Sequence, residues 1–502
     1  MSLKARVRDI HRGTSVSLTS QLVDIFVAAI RSGELAADGQ LPPTRTLAEW
    51  AAINQLTATR VYRRLQEMGL VTAAVGRGTF VRGTAAGTRT GERATNTAWQ
   101  SYALPQLSES FSAQMVGDLM RQAGDPEIIA LSAGHPANEL LPANELAACV
   151  ATVVGEHAGR VFQYGAGEGE REFRDALAEL GRQRGLSDSA DDILVTGGGR
   201  QALTLAARAA LRPGDTVACE SPSFMGVIDA LRCTGAELVP VPVDHGGLSV
   251  DALEELLRRR EIRLLALQPR CQNPTGTSLD DTRRQRLVEL AERHSFFILE
   301  DAVYADLSFS GPSRQPLRVL APHHVIYVDS FSKTVAPGLR AGWVAASGPV
   351  LDRIIAEKRS DDMQSPTFTQ LIVARFLADG GYERQIECAR RFYRVRRDAL
   401  MAALRAHMSD LATAETPAGG GHVWVTLGRP VDERVLYTRA LAAGVGFVPG
   451  SAMTVERLRE THLRLSFGML SEQQIEDGIR RLAAVVRAAQ RSEGQRQSLP
   501  VA

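Results

Sequence analysis

The first 83 residues show a pattern of apolar and polar positions that predicts three helices and a hairpin. Apolar residues recur at helical spacing over 20–30 and again over 57–68. Between these segments, Thr46–Leu47–Ala48–Glu49 fits a capping box near the start of another helix. The stretch 69–81 contains two short strand-like runs around a Gly-Arg-Gly turn. Three helices followed by a hairpin are the layout of a winged helix-turn-helix.

The chain beyond residue 108 has a different pattern. Short apolar runs end in glycine or polar residues and alternate with helical segments. This alternation predicts an α/β unit with a mainly parallel sheet, in which ligands bind at the carboxyl ends of the strands. The stretch 84–108 has no periodicity and predicts a linker. The predicted strands lie at 192–196, 216–219, 264–267, 296–299, 325–328 and 463–468.

Charge and cysteine content narrow the function classes. The 502-residue chain has a net charge of +1, but residues 1–83 carry eleven Lys or Arg against six Asp or Glu. That local excess suits DNA phosphates. Five scattered cysteines without a C-x-x-C pair argue against a disulfide framework or a structural zinc site and fit a reducing cytosol. We predict no metal, no secretory signal and no membrane span, and therefore a cytoplasmic protein.

Lys333 is the most informative residue of the second region. The chain contains three lysines, and Lys333 follows a predicted strand, within Ser330–Phe331–Ser332–Lys333 and seven residues before Arg340. A lysine amine that loses its proton can attack an aldehyde, while hydroxyls and a fixed arginine suit a phosphate group. This pattern resembles the lysine segment of the aspartate aminotransferase superfamily, where the lysine holds pyridoxal 5'-phosphate (PLP) through a Schiff base.

Further polar groups occur at the other predicted strand ends. Gly197–Gly198–Gly199 opens a helix and exposes backbone N–H groups that can bind an anion. Asn273–Pro274–Thr275–Gly276, Asp301 and Arg464 follow or lie within other strands. Singly, each has an ordinary structural explanation as a turn, a helix cap or half of an ion pair. Together and in this order, they resemble a fold-type I aminotransferase over residues 109–490, with a mainly parallel sheet and a small C-terminal subdomain.

The resemblance implies roles around the cofactor ring. Lys333 is expected to hold PLP and to carry protons, and Asp301 to pair with the pyridine nitrogen. Asn273 and Tyr304 are expected to hydrogen-bond the ring hydroxyl oxygen, and Phe224 to stack on the ring. In an enzyme, Lys333, Asp301 and Tyr304 would be the catalytic residues.

The resemblance also implies a phosphate site and a substrate site. Substrate binding is expected from Arg464, which would grip a carboxylate, with Gly134 and Asn273 beside it. Gly198 stands where many relatives have serine. Tyr164 is expected to approach the phosphate of a neighbouring subunit, which implies a homodimer. The phosphate-binding residues are expected to be Gly199, Arg200, Ser330, Arg340 and Tyr164.

The N-terminal segments 41–48, 65–70 and 76–81 resemble the GntR family of bacterial regulators. The resemblance implies that a helix beginning near Thr57 enters the major groove of double-stranded DNA and that the hairpin contacts a minor groove. Gln55 stands where the family often has arginine, and glutamine can read adenine. The residues implied to bind DNA are Arg45, Gln55, Thr57, Thr59, Arg60, Arg77 and Gly78.

A GntR-like unit joined to an aminotransferase-like domain resembles the MocR subfamily of transcription regulators along the whole chain. This implies a PLP-dependent DNA-binding regulator that senses an amino acid or ω-amino acid. The complete set of PLP residues leaves two alternatives open. One is an active aminotransferase that uses an amino acid and a 2-oxo acid acceptor, and the other is a PLP-dependent lyase or decarboxylase.

The domain boundaries expected from these resemblances are a DNA-binding unit at 1–83, a linker at 84–108 and a PLP-binding domain at 109–490. The composition of 491–502 predicts a disordered tail. The linker is short, which predicts a limited separation of the two units. We expect a domain-swapped or head-to-tail homodimer.

Overall fold

The chain forms two compact units, Met1–Pro105 and Gln106–Ala502. The computed structural model describes residues 3–10, 18–31, 34–36, 39–68, 70–74, 78–81, 111–309 and 315–497. The boundary between the units falls inside the segment predicted as a linker, whose residues 84–108 lie outside the described part.

The N-terminal unit contains the predicted three helices and hairpin. Its elements are α1 (Leu3–Arg8), α2 (Leu18–Arg31), α3 (Thr44–Ala51), α4 (Gln55–Glu67), β1 (Val71–Ala74) and β2 (Gly78–Val81). The two strands are antiparallel, with Val71 opposite Val81. The apolar faces of the helices meet in one core that includes Phe26, Val61 and Leu65, all fully buried. The winged helix-turn-helix layout is confirmed, with α1 as an additional short helix.

The helix starts in this unit differ from the prediction. The capping box at Thr46–Leu47–Ala48–Glu49 is wrong, because α3 begins at Thr44 behind Pro43 and has no side-chain cap. Proline fixes its backbone for a helix start two residues earlier than the pattern indicated. The α4 helix likewise begins at Gln55, because the Asn54 side chain accepts a hydrogen bond from the Leu56 N–H at 2.8 Å.

The C-terminal unit is built on an eight-stranded sheet in the order β4-β11-β10-β9-β8-β5-β6-β7. Strands β6, β5, β8, β9 and β10 are mutually parallel, whereas β11 is antiparallel to β10 and β4. The strands are β4 (Ile193–Thr196), β5 (Thr216–Ser221), β6 (Glu237–Asp244), β7 (Gly247–Leu248), β8 (Leu264–Leu267), β9 (Phe297–Asp301), β10 (Val325–Ser330) and β11 (Gly342–Ala345).

Helices cover both faces of this sheet, which explains why its central strands are continuous apolar runs. Leu194 packs into the layer that contains α8, whereas its neighbour Val195 packs into the layer that contains α7. The helices are α5 (Phe111–Gly124), α6 (Ala143–His157), α7 (Arg171–Gln183), α8 (Gly199–Ala210), α9 (Met225–Arg232), α10 (Val250–Leu257), α11 (Asp281–His294), α12 (Leu317–Leu320), α13 (Pro349–Asp361) and α14 (Thr367–Ala378).

A smaller C-terminal subdomain contains a four-stranded antiparallel sheet in the order β12-β13-β16-β15. It shares a core with two long helices, α15 and α17. A separate parallel pair joins β3 to β14. The elements are β3 (Ile129–Ala130), α15 (Gly381–Met408), β12 (Ala412–Ala414), β13 (His422–Leu427), α16 (Glu433–Ala442), β14 (Val445–Gly446), β15 (Val448–Pro449), β16 (His462–Ser466) and α17 (Glu472–Gln497).

The predicted disordered tail is wrong for residues 491–497. Helix α17 continues through Gln497, because Arg, Glu and Gln are good helix formers and its buried face is already anchored by Leu482 and Val486. Residues 498–502 lie outside the described part of the chain. Among the helices that the structure describes, none is long and apolar enough to cross a membrane.

Candidate functional site

Lys333 lies three residues beyond the end of β10, beside residues of β9 and of the smaller subdomain. Its amine donates a hydrogen bond to the Gly134 carbonyl oxygen at 2.9 Å. Burial, followed by the positive charges of Arg464 and Arg340, lowers the pKa of Lys333 to about 8, although Asp301 opposes the shift. The Lys333 amine is therefore far more often neutral near physiological pH than an ordinary lysine, as a nucleophile requires.

Asp301 ends β9 beside this lysine and is almost fully buried. Its carboxylate accepts hydrogen bonds from Gln268 Nε2 at 2.7 Å and from the Val303 N–H at 3.1 Å. Burial raises the pKa of Asp301 to about 6 in spite of these bonds. A carboxylate in this position gains by pairing with a protonated ring nitrogen, because that pairing compensates its lost hydration.

Gln268 connects Asp301 to the loop that carries Asn273. The Gln268 side-chain oxygen accepts a hydrogen bond from the Asn273 backbone N–H at 2.8 Å. The backbone N–H of Gln268 donates to the Glu220 carboxylate at 2.8 Å. Burial raises the pKa of Glu220 to about 8. One buried glutamine therefore fixes the positions of both Asp301 and Asn273.

Tyr304 is buried and, like Lys333, approaches the Gly134 carbonyl oxygen. Its hydroxyl lies 3.4 Å from the Gly134 oxygen and 2.9 Å from His422 Nε2. Space beside Gly134 is tight, because a Cβ atom there would approach His422 to 3.0 Å. Tyr304 and Lys333 therefore both meet the Gly134 carbonyl oxygen.

Arg464 lies in β16 with a buried guanidinium, which donates from Nη2 to the Ser132 oxygen at 2.7 Å. Burial lowers the pKa of Arg464 to about 10. A buried cation without a carboxylate partner is costly, so the position favours an anionic ligand. A substrate carboxylate would supply that charge with bidentate geometry.

The start of α8 forms an anion cradle with the segment after β10. Gly198 has a φ of +113°, and a Cβ atom there would lie 2.7 Å from the Arg340 guanidinium. The helix has no side-chain cap, so its first backbone N–H groups are available to a ligand. Ser330 lies close to Gly199. A Cβ atom added at Gly199 would be 3.5 Å from the Ser330 Cβ.

Three predicted residues are not joined to this cluster by side-chain contacts in the structure. Arg200 forms an ion pair with Asp229 at 3.3 Å, so a phosphate role for Arg200 depends on its backbone N–H in the first turn of α8. Phe224 is half-buried at the N-cap of α9. Tyr164 is 79% exposed.

The described residues among those predicted to bind DNA lie on α3, on the first turns of α4 and at the start of β2. Gln55, Thr59 and Arg60 are exposed on the first turns of α4, and Thr57 is half-buried. The Arg45 side chain is 85% exposed and faces Glu49 at 3.5 Å. Gly78 begins β2 with a φ of +113°, and Arg77 lies outside the described residues.

Sequence reasoning missed Gln268, Glu220, His422 and Ser466. Gln268 lay five residues from a recognised motif, and its position at the end of β8 was the available signal. His422 and Ser466 pair only because β13 and β16 are antiparallel in one register. That register is not visible in the sequence pattern.

The residues present fit PLP. Two buried polar atoms, Asn273 Oδ1 and Arg464 Nε, have no hydrogen-bond partner among the described residues. Because buried polar groups are nearly always bonded, both atoms indicate a polar ligand. The nucleophilic Lys333, the buried Asp301 and the cradle at Gly198 match an aldehyde, a ring nitrogen and a phosphate, respectively.

Comparison with known proteins identifies the family. The model of aminotransferase class I and II matches residues 126–482. The chain belongs to the aminotransferase class I and II family. The model of the bacterial regulatory proteins of the gntR family matches residues 18–81, which supports the predicted GntR resemblance of the N-terminal unit.

Two relatives differ in how much of this aminotransferase-family chain they match. Aromatic-amino-acid aminotransferase 1 of Thermococcus litoralis is 35% identical over 382 residues, which are 75% of this chain and 92% of that protein. The uncharacterized HTH-type transcriptional regulator YdfD of Bacillus subtilis is 28% identical over 474 residues, which are 93% of this chain and 96% of that protein. The match to YdfD spans nearly the whole chain, which confirms the predicted MocR-type organisation.

A solved structure supports the fold and the cofactor. The α-aminoadipate aminotransferase LysN of Thermus thermophilus, complexed with N-(5'-phosphopyridoxyl)-L-leucine, superposes with a TM-score of 0.73 at 31% identity. The superposition covers 78% of this chain and 99% of that one. The predicted fold-type I domain is confirmed, and PLP is the cofactor of the class I and II aminotransferase family to which the chain belongs.

Proposed function

We propose that this protein is a PLP-dependent transcription regulator whose C-terminal unit senses an amino compound. The observation that carries the proposal is the presence, in one chain, of a winged helix with exposed polar residues at the start of α4 and of a buried residue cluster around Lys333 that is suited to PLP. A relative that matches this organisation from end to end is named as a regulator. DNA is the partner of the first unit and a small molecule the partner of the second.

PLP, when bound, supplies an aldehyde for amino groups and a ring that acts as an electron sink. Lys333 would hold it through an amine whose lowered pKa makes the neutral form much more accessible than in an ordinary lysine, and Asp301 would pair with the pyridine nitrogen. Asn273 and Tyr304 hydrogen-bond the ring hydroxyl oxygen. Phe224 stacks on the ring. The phosphate is bound by Gly199, the Arg200 backbone, Ser330 and Arg340.

The effector is an amino acid or ω-amino acid. Arg464 binds the effector carboxylate through its buried guanidinium. The Nε atom of Arg464 has no hydrogen-bond partner among the described residues, so it can donate a second bond to that carboxylate. Gly134 leaves room beside Lys333 for the amino group. Asn273 contacts the bound compound from the other side.

The functional form is a homodimer in the bacterial cytoplasm, where its DNA target is located. Tyr164 is 79% exposed and the nearby Phe162 is 81% exposed. An exposed aromatic pair of this kind is typical of a contact surface. Tyr164 completes the phosphate site of the second copy. A monomer with bound PLP at micromolar concentration, measured by sedimentation, would contradict this part of the proposal.

In the proposed complex with DNA, α4 is the recognition helix. Gln55, Thr57, Thr59 and Arg60 face the major groove, and Arg45 binds a phosphate. The hairpin, with Arg77 and Gly78, contacts the minor groove.

An active aminotransferase is the second candidate, because Lys333, Asp301, Tyr304 and Arg464 are all present in one cluster. Absorbance spectra of the PLP-loaded protein, recorded with a panel of amino acids, separate the two functions. A regulator changes its spectrum with one compound and then stops, without continued release of a 2-oxo acid. An aminotransferase releases the 2-oxo acid repeatedly when an acceptor is added. Lys333→Ala is the control, and it must lose the band of lysine-bound PLP.

A further inference from the structure

His422 and Ser466 form a buried pair behind Tyr304. The two residues lie opposite each other where β13 meets β16. His422 Nδ1 is 2.9 Å from the Ser466 hydroxyl oxygen, and Nε2 is 2.9 Å from the Tyr304 hydroxyl oxygen. The exposed fractions are 3% for His422 and 1% for Ser466. The three side chains form a continuous hydrogen-bond chain that ends at Tyr304.

The charges around the imidazole keep it neutral. Burial, and then the positive charges of Arg464 and Lys333, hold the pKa of His422 well below its ordinary value. A neutral imidazole carries one N–H, so one ring nitrogen donates a hydrogen bond and the other accepts one.

The number of available protons decides the direction of the chain. If Nδ1 donated to Ser466, the Ser466 hydroxyl proton would have no acceptor among the described residues, and Tyr304 would donate to Nε2. If Ser466 donates to Nδ1, then Nε2 donates to the Tyr304 oxygen. The Tyr304 proton is then directed to the side of Gly134 and Lys333, where the Gly134 oxygen lies 3.4 Å away. The second direction gives all three protons an acceptor.

We propose that His422 is a positioning residue that directs the Tyr304 hydroxyl proton toward the ring oxygen of PLP and so sets the proton affinity of the PLP–Lys333 link. A hydrogen bond donated to the ring oxygen stabilises its anionic form. Donation from His422 to the Tyr304 oxygen strengthens that bond, because hydrogen bonds in a chain polarise one another. This inference rests on the cofactor site proposed above.

Several charged or titratable groups face the same point and contribute to the same proton affinity. They are Asp301 of β9, Lys333 after β10, Tyr393 of α15 and Arg464 of β16. These four groups are the same in the wild-type protein and in the His422 and Ser466 variants. A difference in proton affinity between these proteins, measured at constant salt and PLP concentration, therefore reports the substitution alone.

The test is a pH titration of the visible absorbance of the full-length, PLP-loaded protein. His422→Phe removes the donor to Tyr304 and is expected to raise the proton affinity of the PLP–Lys333 link about threefold. His422→Gln retains an N–H at the position of Nε2 and is expected to restore most of the wild-type midpoint. Ser466→Ala provides an independent variant and is expected to shift the midpoint in the same direction as His422→Phe.

A double-variant cycle shows whether His422 acts through Tyr304. In a Tyr304→Phe background, His422→Phe is expected to cause no additional shift. An unchanged midpoint in both His422→Phe and Ser466→Ala would overturn the inference, as would a full His422→Phe shift in the Tyr304→Phe background. If His422→Phe does not fold, Ser466→Ala and His422→Gln decide the outcome. Absence of the Lys333-dependent band from the wild-type protein would instead overturn the proposed cofactor site itself.

Discussion

Lys333 and Lys358 show how surroundings give one residue type two roles. Lys358 is completely buried, and its amine pairs with the Asp362 carboxylate. Lys333 donates to a neutral carbonyl and faces the cations Arg464 and Arg340. At Lys333, burial and these two cations together lower the pKa of the amine, and the opposing charge of Asp301 is not enough to cancel their effect. The nucleophile of the site is therefore determined by neighbours from distant parts of the chain.

The lowered pKa of Lys333 predicts the pH dependence of PLP attachment to the apoprotein. The neutral amine attacks the aldehyde, so the attachment rate is expected to rise with pH up to about 8 and then to level off. Stopped-flow absorbance after mixing with PLP measures this rate, with Lys333→Ala as the control. A rate that continues to rise toward the ordinary lysine pKa of about 10.4 would contradict the burial argument.

Arg464 predicts a carboxylate requirement in the effector. Arg464→Gln is expected to weaken the absorbance response of the PLP-loaded protein to amino acids at least about tenfold, because a charge-assisted bond is lost. The response to a primary amine of equal length without a carboxylate is the matched control, and it should be nearly the same in both proteins. Equal concentration dependence for the amino acid in both proteins would show that Arg464 does not bind the carboxylate.

Strands and helices were predictable from the sequence where the burial of their side chains alone determines the pattern of apolar residues. The runs at 264–267 and 325–328 lie within β8 and β10, because a strand covered on both faces needs apolar side chains throughout. Helix starts were less predictable, because Pro43 and Asn54 act through local backbone geometry. The His422–Ser466 pair was not predictable, since it depends on how two strands separated by 34 residues align.

A second buried network fixes α7 to the sheet and supports the strand ends. The Arg184 guanidinium donates to Asp306 at 2.5 Å, Asp329 at 2.7 Å, Tyr382 at 3.0 Å and Tyr327 at 3.2 Å. Asp329 immediately precedes Ser330, and Asp306 follows Tyr304 by two residues. The network therefore holds two of the segments that carry site residues.

Arg184→Leu is expected to lower the free energy of unfolding by about 3–5 kcal/mol, because two buried carboxylates lose their cation. Arg182→Leu is the matched control on the same turn. Its ion pair with Glu179 is more than half exposed, so the loss should stay within about 1 kcal/mol. Denaturant unfolding of both full-length variants measures the difference. Equal losses would mean that the Arg184 network does not stabilise the unit.

At the scale of the whole molecule, the two units carry two different chemistries in one chain. The first presents exposed polar residues at the start of α4, and the second encloses a nucleophilic lysine and a buried arginine. Regulation requires that the bound amino compound favour one DNA-binding state over another. Such couplings are typically about 1–3 kcal/mol, which correspond to changes in affinity of about 5–150-fold.

DNA affinity measured with and without the effector decides whether the two units are coupled. The DNA is a fragment that the full-length protein selects from a random-sequence pool, and the amino compound is the one that changes the absorbance of bound PLP. We predict a change in Kd of at least about fivefold on adding this compound at fixed salt, and no change in Lys333→Ala. An unchanged Kd, together with repeated conversion of the compound to its 2-oxo acid, would contradict a regulator and establish an aminotransferase.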